Sequence, residues 1–319
     1  MALIYNATFD SGTRILSLLD KAGNVISSCE VPSKELVDDI TKPLTFKATQ
    51  DGSTVKLTMR GSPFGTFQTS RDGGNTWTDY KFYDAITLNT GDEVSFRAKA
   101  NRTSAQGTDK YFSFQMTGKI EAWHNVMSLY RTNDFATHES VVGYAFHSLF
   151  NGCTSLVKAP VLPATTLADF CYYVMFNGCT SLTEAPVLPA TTLSGGCCSG
   201  MFYDCTSLTK APVLPATTLA KDCYYYMFYD CTSLTKAPEL PATTLAERCY
   251  YNMFYGCSKL KEVRVSATTT ADRALTNWLG DVPATGDFYC DPNATIFPSG
   301  ISGIPSGWTR HALADYPQT

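Results

Sequence analysis

The chain has 319 residues, 44% of them hydrophobic and 17% charged, with a formal net charge of -4. Such a composition excludes a disordered tail and suits two or three globular domains. Without a Lys/Arg cluster it argues against a nucleic-acid partner, whose phosphates need grouped cations, and no apolar run reaches the ~20 residues of a membrane span.

In chain order, residues 1–42 read as a separate lead-in. "TRILSLLDKAGNVISSCEV" has two β-rich arms around the turn residues "DKAGN", and "PSKELVDDITKP" reads as a short helix or linker ending at Pro43. The start lacks a basic region followed by a long apolar core. Taken as a native start, it predicts a protein made in the cytoplasm of its producing cell and exported, if at all, outside the general secretory route; a mature form with an engineered Met1 would read the same.

Residues 43–118 change to short alternating segments, among them "STVKLTMR", "EVSFRAKA" and "KYFSFQMTG", divided by Gly, Asp and Asn. That spacing predicts a small antiparallel β-sandwich. Inside it, "SRDGGNTW" matches the Asp-box pattern, with Ser70, Asp72, Gly74 and Trp77 at its fixed positions. One copy reads as a structural hairpin turn, with Asp72 bonding the loop and Trp77 packing beneath, and not as a catalytic element.

From residue 119 to 265 the chain repeats itself with a period of 26. "CTSLTKAPVLPATTL" at 205–219 and "CTSLTKAPELPATTL" at 231–245 differ only in Val213 and Glu239, and related copies begin at Cys153, Cys179 and Cys257. Leu156, Leu182, Leu208, Leu234 and Leu260 fall in one column; Phe150, Phe176, Phe202, Phe228 and Phe254 fall in another. A fixed period of this size predicts a solenoid whose coils bury their apolar faces on one another. The fold class expected is therefore mainly β with short helical turns: a sandwich followed by a capped solenoid. "KIEAWHNVMSLY" reads as its irregular first rung, and residues 266–319, with Trp278, Phe288, Phe297 and Trp308, as a C-terminal cap.

The frame F-x-x-C-x-x-L, then a proline-bounded strand, then L-x-x-x-C-Y-x-x-M-F, resembles the BspA-like leucine-rich repeats of gut Bacteroidales and their crAss-like bacteriophages. The flanking "TFQTSRDGGNTWTDY" and "ALTNWLGDVPATGDFYCDPNATIFPSGISGIPSGWT" are similar to the domains that precede and end such arrays. The resemblance implies surface display and binding without catalysis. Its first setting is a phage virion, as a head or tail fibre or a decoration protein, exposed on the particle surface after assembly in the host cytoplasm. The N-terminal segment would then contact other virion proteins, and the array a host surface glycan or protein. A bacterial surface adhesin on the cell exterior is the alternative, and a polysaccharide hydrolase a third reading. No coiled-coil heptads specify an oligomer, and a homo-oligomer stays compatible with this reading.

Nine of the twelve cysteines, Cys153, Cys171, Cys179, Cys197, Cys205, Cys223, Cys231, Cys249 and Cys257, fall in two columns of the period. Their spacings of 18 and 8 lack the close pairs of a zinc site, so no metal and no cofactor is expected. Inter-rung disulfides are within reach of the stacking distance, but a reduced ladder of small buried residues is the reading adopted. Cys198 breaks the column and is expected to be exposed. No nucleophile elbow, metalloprotease helix or paired-carboxylate signature stands out, so no catalytic residue is assigned.

Variation between copies gathers after each "PATTL", in "ADFCYYVMFNG", "SGGCCSGMFYD", "AKDCYYYMFYD" and "AERCYYNMFYG". One Tyr per rung is expected to fill the core and others to shield it. Tyr also suits recognition surfaces and sugar stacking. Tyr173, Tyr203, Tyr225, Tyr229, Tyr251 and Tyr255 are therefore the candidate binding residues. Lys158, Glu184, Lys210 and Lys236 form a charged row on the other face, read as a solvated edge.

Overall fold

The structure, a computed structural model, describes the backbone of residues 6–10, 15–19 and 25–30, and residues 38–61, 65–102, 107 and 109–316 in full. Most of the expected helix or linker before Pro43 lies outside the described residues. The chain divides into two compact units, residues 1–38 and 39–319. In the first, β1 (Asn6–Asp10), β2 (Ile15–Leu19) and β3 (Val25–Glu30) form an antiparallel meander, so the two arms around "DKAGN" do pair.

The second unit is mainly β, built from several open sheets, and its only described helices are two 3-10 turns at 126–129 and 313–315. Its first strands are β4 (Thr45–Ala48), β5 (Ser53–Arg60), β6 (Phe67–Ser70), β7 (Thr78–Tyr80), β8 (Ile86–Leu88), β9 (Glu93–Ala98), β10 (Tyr111–Thr117) and β11 (Ile120–Trp123). Strands β10, β5 and β8 make one antiparallel sheet. The other runs β11-β4-β9-β6-β7 and takes in β12 (Leu156–Lys158) beyond β11. Alternation fixes which side faces inward: Val55 and Leu57 of β5 and Phe112 and Phe114 of β10 are buried while their neighbours are less so. The sheets meet through Phe46 and Phe96, whose ring centroids lie 4.6 and 5.2 Å from that of Phe114 and 5.6 Å from each other.

This aromatic layer does not stop where the repeats begin. Phe114 stacks on Phe150 at 5.6 Å, and from there the column Phe150, Phe176, Phe202, Phe228, Phe254 continues at 5.3–5.6 Å with ring planes within 6°. Strand β11 belongs to both regions: it pairs antiparallel with β4 and parallel with β12, setting Ile120 beside Leu156 of the repeat column. The segment read as an irregular first rung therefore also completes a sheet of the preceding region.

From Cys153 the chain makes five coils, 153–178, 179–204, 205–230, 231–256 and 257–281, each with a strand wall ("TKAPVLPATT") and a return wall ("CYYYMFYD"). Both cysteine columns, the Leu column and Met175, Met201, Met227 and Met253 are at most 1% exposed. The first cysteine column also donates hydrogen bonds. Cys153, Cys179, Cys205, Cys231 and Cys257 give their S–H to the carbonyls of Phe114, Phe150, Phe176, Phe202 and Phe228 at 3.1–3.2 Å. In Phe150, Phe176, Phe202 and Phe228 the thiol adds a second hydrogen bond to a carbonyl that already accepts a backbone N–H of its own turn.

Of the short helical or turn-like return segments expected, the return wall takes the second form, a run of tight turns. Every second N–H reaches the next coil: those of Tyr144, Phe146, Ser148, Phe150 and Gly152 donate to Asp169, Cys171, Tyr173, Met175 and Asn177 at 2.7–3.0 Å. The N–H groups between them bond three residues back, as from Ala145 to Val142 and from His147 to Tyr144. Making both bond types turns every fourth residue left-handed. Tyr144, Phe170, Asp222 and Arg248 form one such column; Ser148, Val174, Tyr226 and Asn252 form another, at φ of 45–58°. This conformation costs non-glycine residues roughly 1–2 kcal/mol each, which an inter-coil bond at each position offsets.

The fifth coil is one residue shorter, since Lys236 faces Glu262 but Leu240 faces Val265. Its strand wall is β13 (Glu262–Arg264), and β14 (Asp287–Cys290) and β15 (Thr309–Ala312) stack on it in parallel. Trp278 is wholly buried, stacks on Tyr250 and Phe297, and donates its indole N–H to Gly303 at 2.9 Å. Phe288, Phe297 and Trp308 are buried beside it.

Candidate functional site: the tyrosine wall

The return wall divides its tyrosines by depth. Tyr172, Tyr224 and Tyr250 lie in a buried column, where Cys198 takes the equivalent place in the second coil. Cys198 is 2% exposed, which corrects the expectation that it faces solvent; aligned with Tyr172 and Tyr224 it occupies a core position. All eleven described cysteines are unpaired and buried. Burial pushes the Cys153, Cys205 and Cys249 thiols up to about 12.

Five of the six candidate tyrosines come together. Tyr203, Tyr229 and Tyr255 form a parallel stack with centroids 4.7 and 5.0 Å apart and planes within 8°. Tyr225 and Tyr251 form a second stack at 5.0 Å. Tyr226 joins the two, at 4.4 Å from Tyr225, 5.2 Å from Tyr229 and 5.8 Å from Tyr251. It is the residue missing from the sequence-based set, and its signal was its place in a column that changes between copies, Val174, Gly200, Tyr226 and Asn252. Tyr173 stands apart: it stacks on His147 at 5.2 Å, and Ser199 and Gly200 of the next coil offer it no ring. Gly200 is left-handed, and a Cβ there would stand 3.0 Å from Val174, which leans into the space.

This stacking alters what the wall can do. Both faces of Tyr229 are covered by Tyr203 and Tyr255, and the far side of Tyr255 lies over Gly280, where a Cβ would come within 2.5 Å of the ring. Within the stack Tyr229 and Tyr255 therefore present ring edges and hydroxyls, not faces, while Tyr203 at its end follows Asn177, which carries no ring. Asp204, Asp230 and Asp281 share one column beside these rings. Burial, then Asp204 and Asp281, raise the Asp230 carboxyl, and a hydrogen bond to Asp281 raises the Tyr255 phenol. Arg248 borders the cluster, bonded to Asp222 at 2.7 Å and 6.0 Å from the Tyr225 ring centroid.

The remaining predicted positions are elsewhere. In the Asp box, Ser70 Oγ donates to Asp72 at 2.6 Å, Asp72 accepts from the Thr76 N–H and hydroxyl, and the Trp77 indole donates to Gly74 O at 2.9 Å. The Gly74 N–H donates to Ser70 Oγ at 2.9 Å. Ser70 and Thr76 hold the Asp72 carboxyl far below its ordinary range. The motif is a self-satisfied turn, with Arg97 4.1 Å from the centroid of the Trp77 ring. In the charged row, Lys210 pairs with Glu184 and Lys236 with Glu262, while Lys158 lies 3.5 Å from the ring centroid of Trp123.

Among the described residues no group of three or more His, Cys, Asp or Glu side chains is placed to hold a metal ion, and no helix is long and apolar enough to cross a membrane. A scan of protein-family models and searches of curated proteins and of solved structures return no match to this chain.

Proposed function

We propose that the protein is a non-enzymatic display protein whose coils form a leucine-rich-repeat solenoid of the BspA-like kind, and that it contacts a host cell surface from a phage virion. The tyrosine wall carries this reading. A frame held by backbone bonds and buried Phe, Leu and Cys columns presents six clustered tyrosines and an acidic border where the copies differ, and tyrosine is the residue best suited to adaptable recognition. The 1–42 segment serves attachment to the particle in this reading, and the sheets of 43–118 close the first end of the solenoid as a sandwich.

The test uses the full chain, fluorescently labelled, on intact gut Bacteroidales cells, with the Tyr226→Ala/Tyr251→Ala variant beside it. Saturable binding that the variant loses supports the reading; binding equal in both removes the tyrosine wall from it. Mass spectrometry of purified particles separates the settings, because absence from virions together with presence on bacterial envelopes turns the assignment to an adhesin.

A further inference from the structure

The strand wall is bonded unevenly although its copies are nearly identical. Coils one and two are joined where Leu167 donates to Thr192 and Thr191 to Thr165, and coils two and three where Ala185 donates to Lys210 and Thr209 to Thr183. Coils four and five are joined at both stations, by Ala237 to Glu262 and by Leu245 to Thr269. Between coils three and four neither station carries a backbone bond among the described residues, while the return wall at the same boundary keeps five, from Asp222, Tyr224, Tyr226, Phe228 and Asp230.

A groove of about 550 Å³ opens at this boundary. Charge gives a reason. Equivalent positions in coils two to five read Glu184, Lys210, Lys236, Glu262, so ion pairs form across two boundaries and two lysines are neighbours in the row across the one between. Pro212, Val213 and Pro238 line the groove, with Val213 71% exposed; Thr209 and Thr235 add hydroxyls, and Tyr316 closes one side. Tyr316 is held there by its bond to Glu262 and by Lys236 and Arg264 against its ring.

We propose that this groove is a subsite for a uronic-acid oligosaccharide, its carboxylate held between Lys210 and Lys236. An anion there offsets two neighbouring positive charges, and Lys210 is free to turn inward because its pair with Glu184 is long, 3.5 Å, and exposed. Apolar proline and valine surface beside hydroxyls matches the C–H face and hydroxyl rim of a pyranose. A peptide strand does not fit, since it would need about 4.8 Å on each side while the return-wall bonds hold these coils at ordinary spacing. The inference deepens the display reading and rests on it for the source of the glycan.

Calorimetry of the full chain with trigalacturonic acid and with its neutral methyl ester tests the subsite. Lys210→Gln/Lys236→Gln removes the cations, and Val213→Glu sets a carboxylate in the groove without touching them. Saturable binding of the acid is expected, at least tenfold weaker for the ester and for both variants, and unchanged in Tyr226→Ala on the other wall. No saturable binding by the native chain, or equal affinity in the lysine variant, overturns it. Cell binding that survives Lys210→Gln/Lys236→Gln also rejects the groove and leaves the display reading standing. Absence of cell binding by the native chain beside intact trigalacturonate binding rejects the display reading and keeps the groove.

Discussion

The two walls of each coil reverse the usual relation between sequence and bonding. The strand wall is written almost identically in four copies, yet its hydrogen bonds change from boundary to boundary; the return wall varies in every copy and keeps its bonds throughout. On the return wall the bonds use only backbone groups and alternate between the coil itself and its neighbour, so a side chain can change without touching them. On the strand wall, prolines such as Pro212 and Pro215 remove donors, and what joins the coils is left to a few amides and to the charges beside them.

The largest expected effect breaks what the walls share. Phe202→Ala opens a cavity between Phe176 and Phe228 and should cost about 3–5 kcal/mol in denaturant unfolding; a loss under 1 kcal/mol would mean the aromatic column does not hold the coils together. Alkaline pH comes next. The thiols of Cys153, Cys205 and Cys249 have folded values raised from 9.0 to about 12, so the stability they contribute is complete below pH 9 and is lost as pH rises towards 12. Each should remove about 1.4 kcal/mol per pH unit once the unfolded thiol ionises, and a flat stability between pH 8 and 10.5 would contradict their burial.

Amide hydrogen exchange compares the walls directly. At the boundary of coils three and four, the N–H groups of Tyr224, Tyr226 and Phe228 should be protected while those of Ala211 and Val213 exchange early. Equal protection on both walls would close the groove. The smallest effect belongs to the charged row: Lys210→Gln alone should leave the unfolding midpoint unchanged, because its partner Glu184 is exposed and screened.

Much of this was legible before the fold. The Cys, Leu and Phe columns followed from the period, and the buried Tyr column could be counted from Tyr172, Tyr224 and Tyr250. Cys198 was misread because its type was compared with the cysteine columns and not its position with the tyrosines. Tyr173 was grouped with Tyr225 although Ser199 lies between them. The left-handed columns were hidden, since Tyr144, Phe170, Val174 and Arg248 are residues that seldom adopt that conformation; the stack imposes it. Nor could the groove be read from two copies that differ at one position, because it arises from which charges the neighbouring coils supply.

The backbone scheme of the return wall makes whole coils interchangeable parts. Every coil offers its neighbour the same alternating donors and acceptors, and the two ends, closed by Phe114 and by Trp278, meet nothing that is unique to a middle coil. Excising 205–230 would set Phe202 against Phe254 and Glu184 against Lys236, with no bond of the return wall out of register. Such a chain would be shorter by one coil and would have lost the facing lysines, so the length of the array and the chemistry of its surface are varied by the same event.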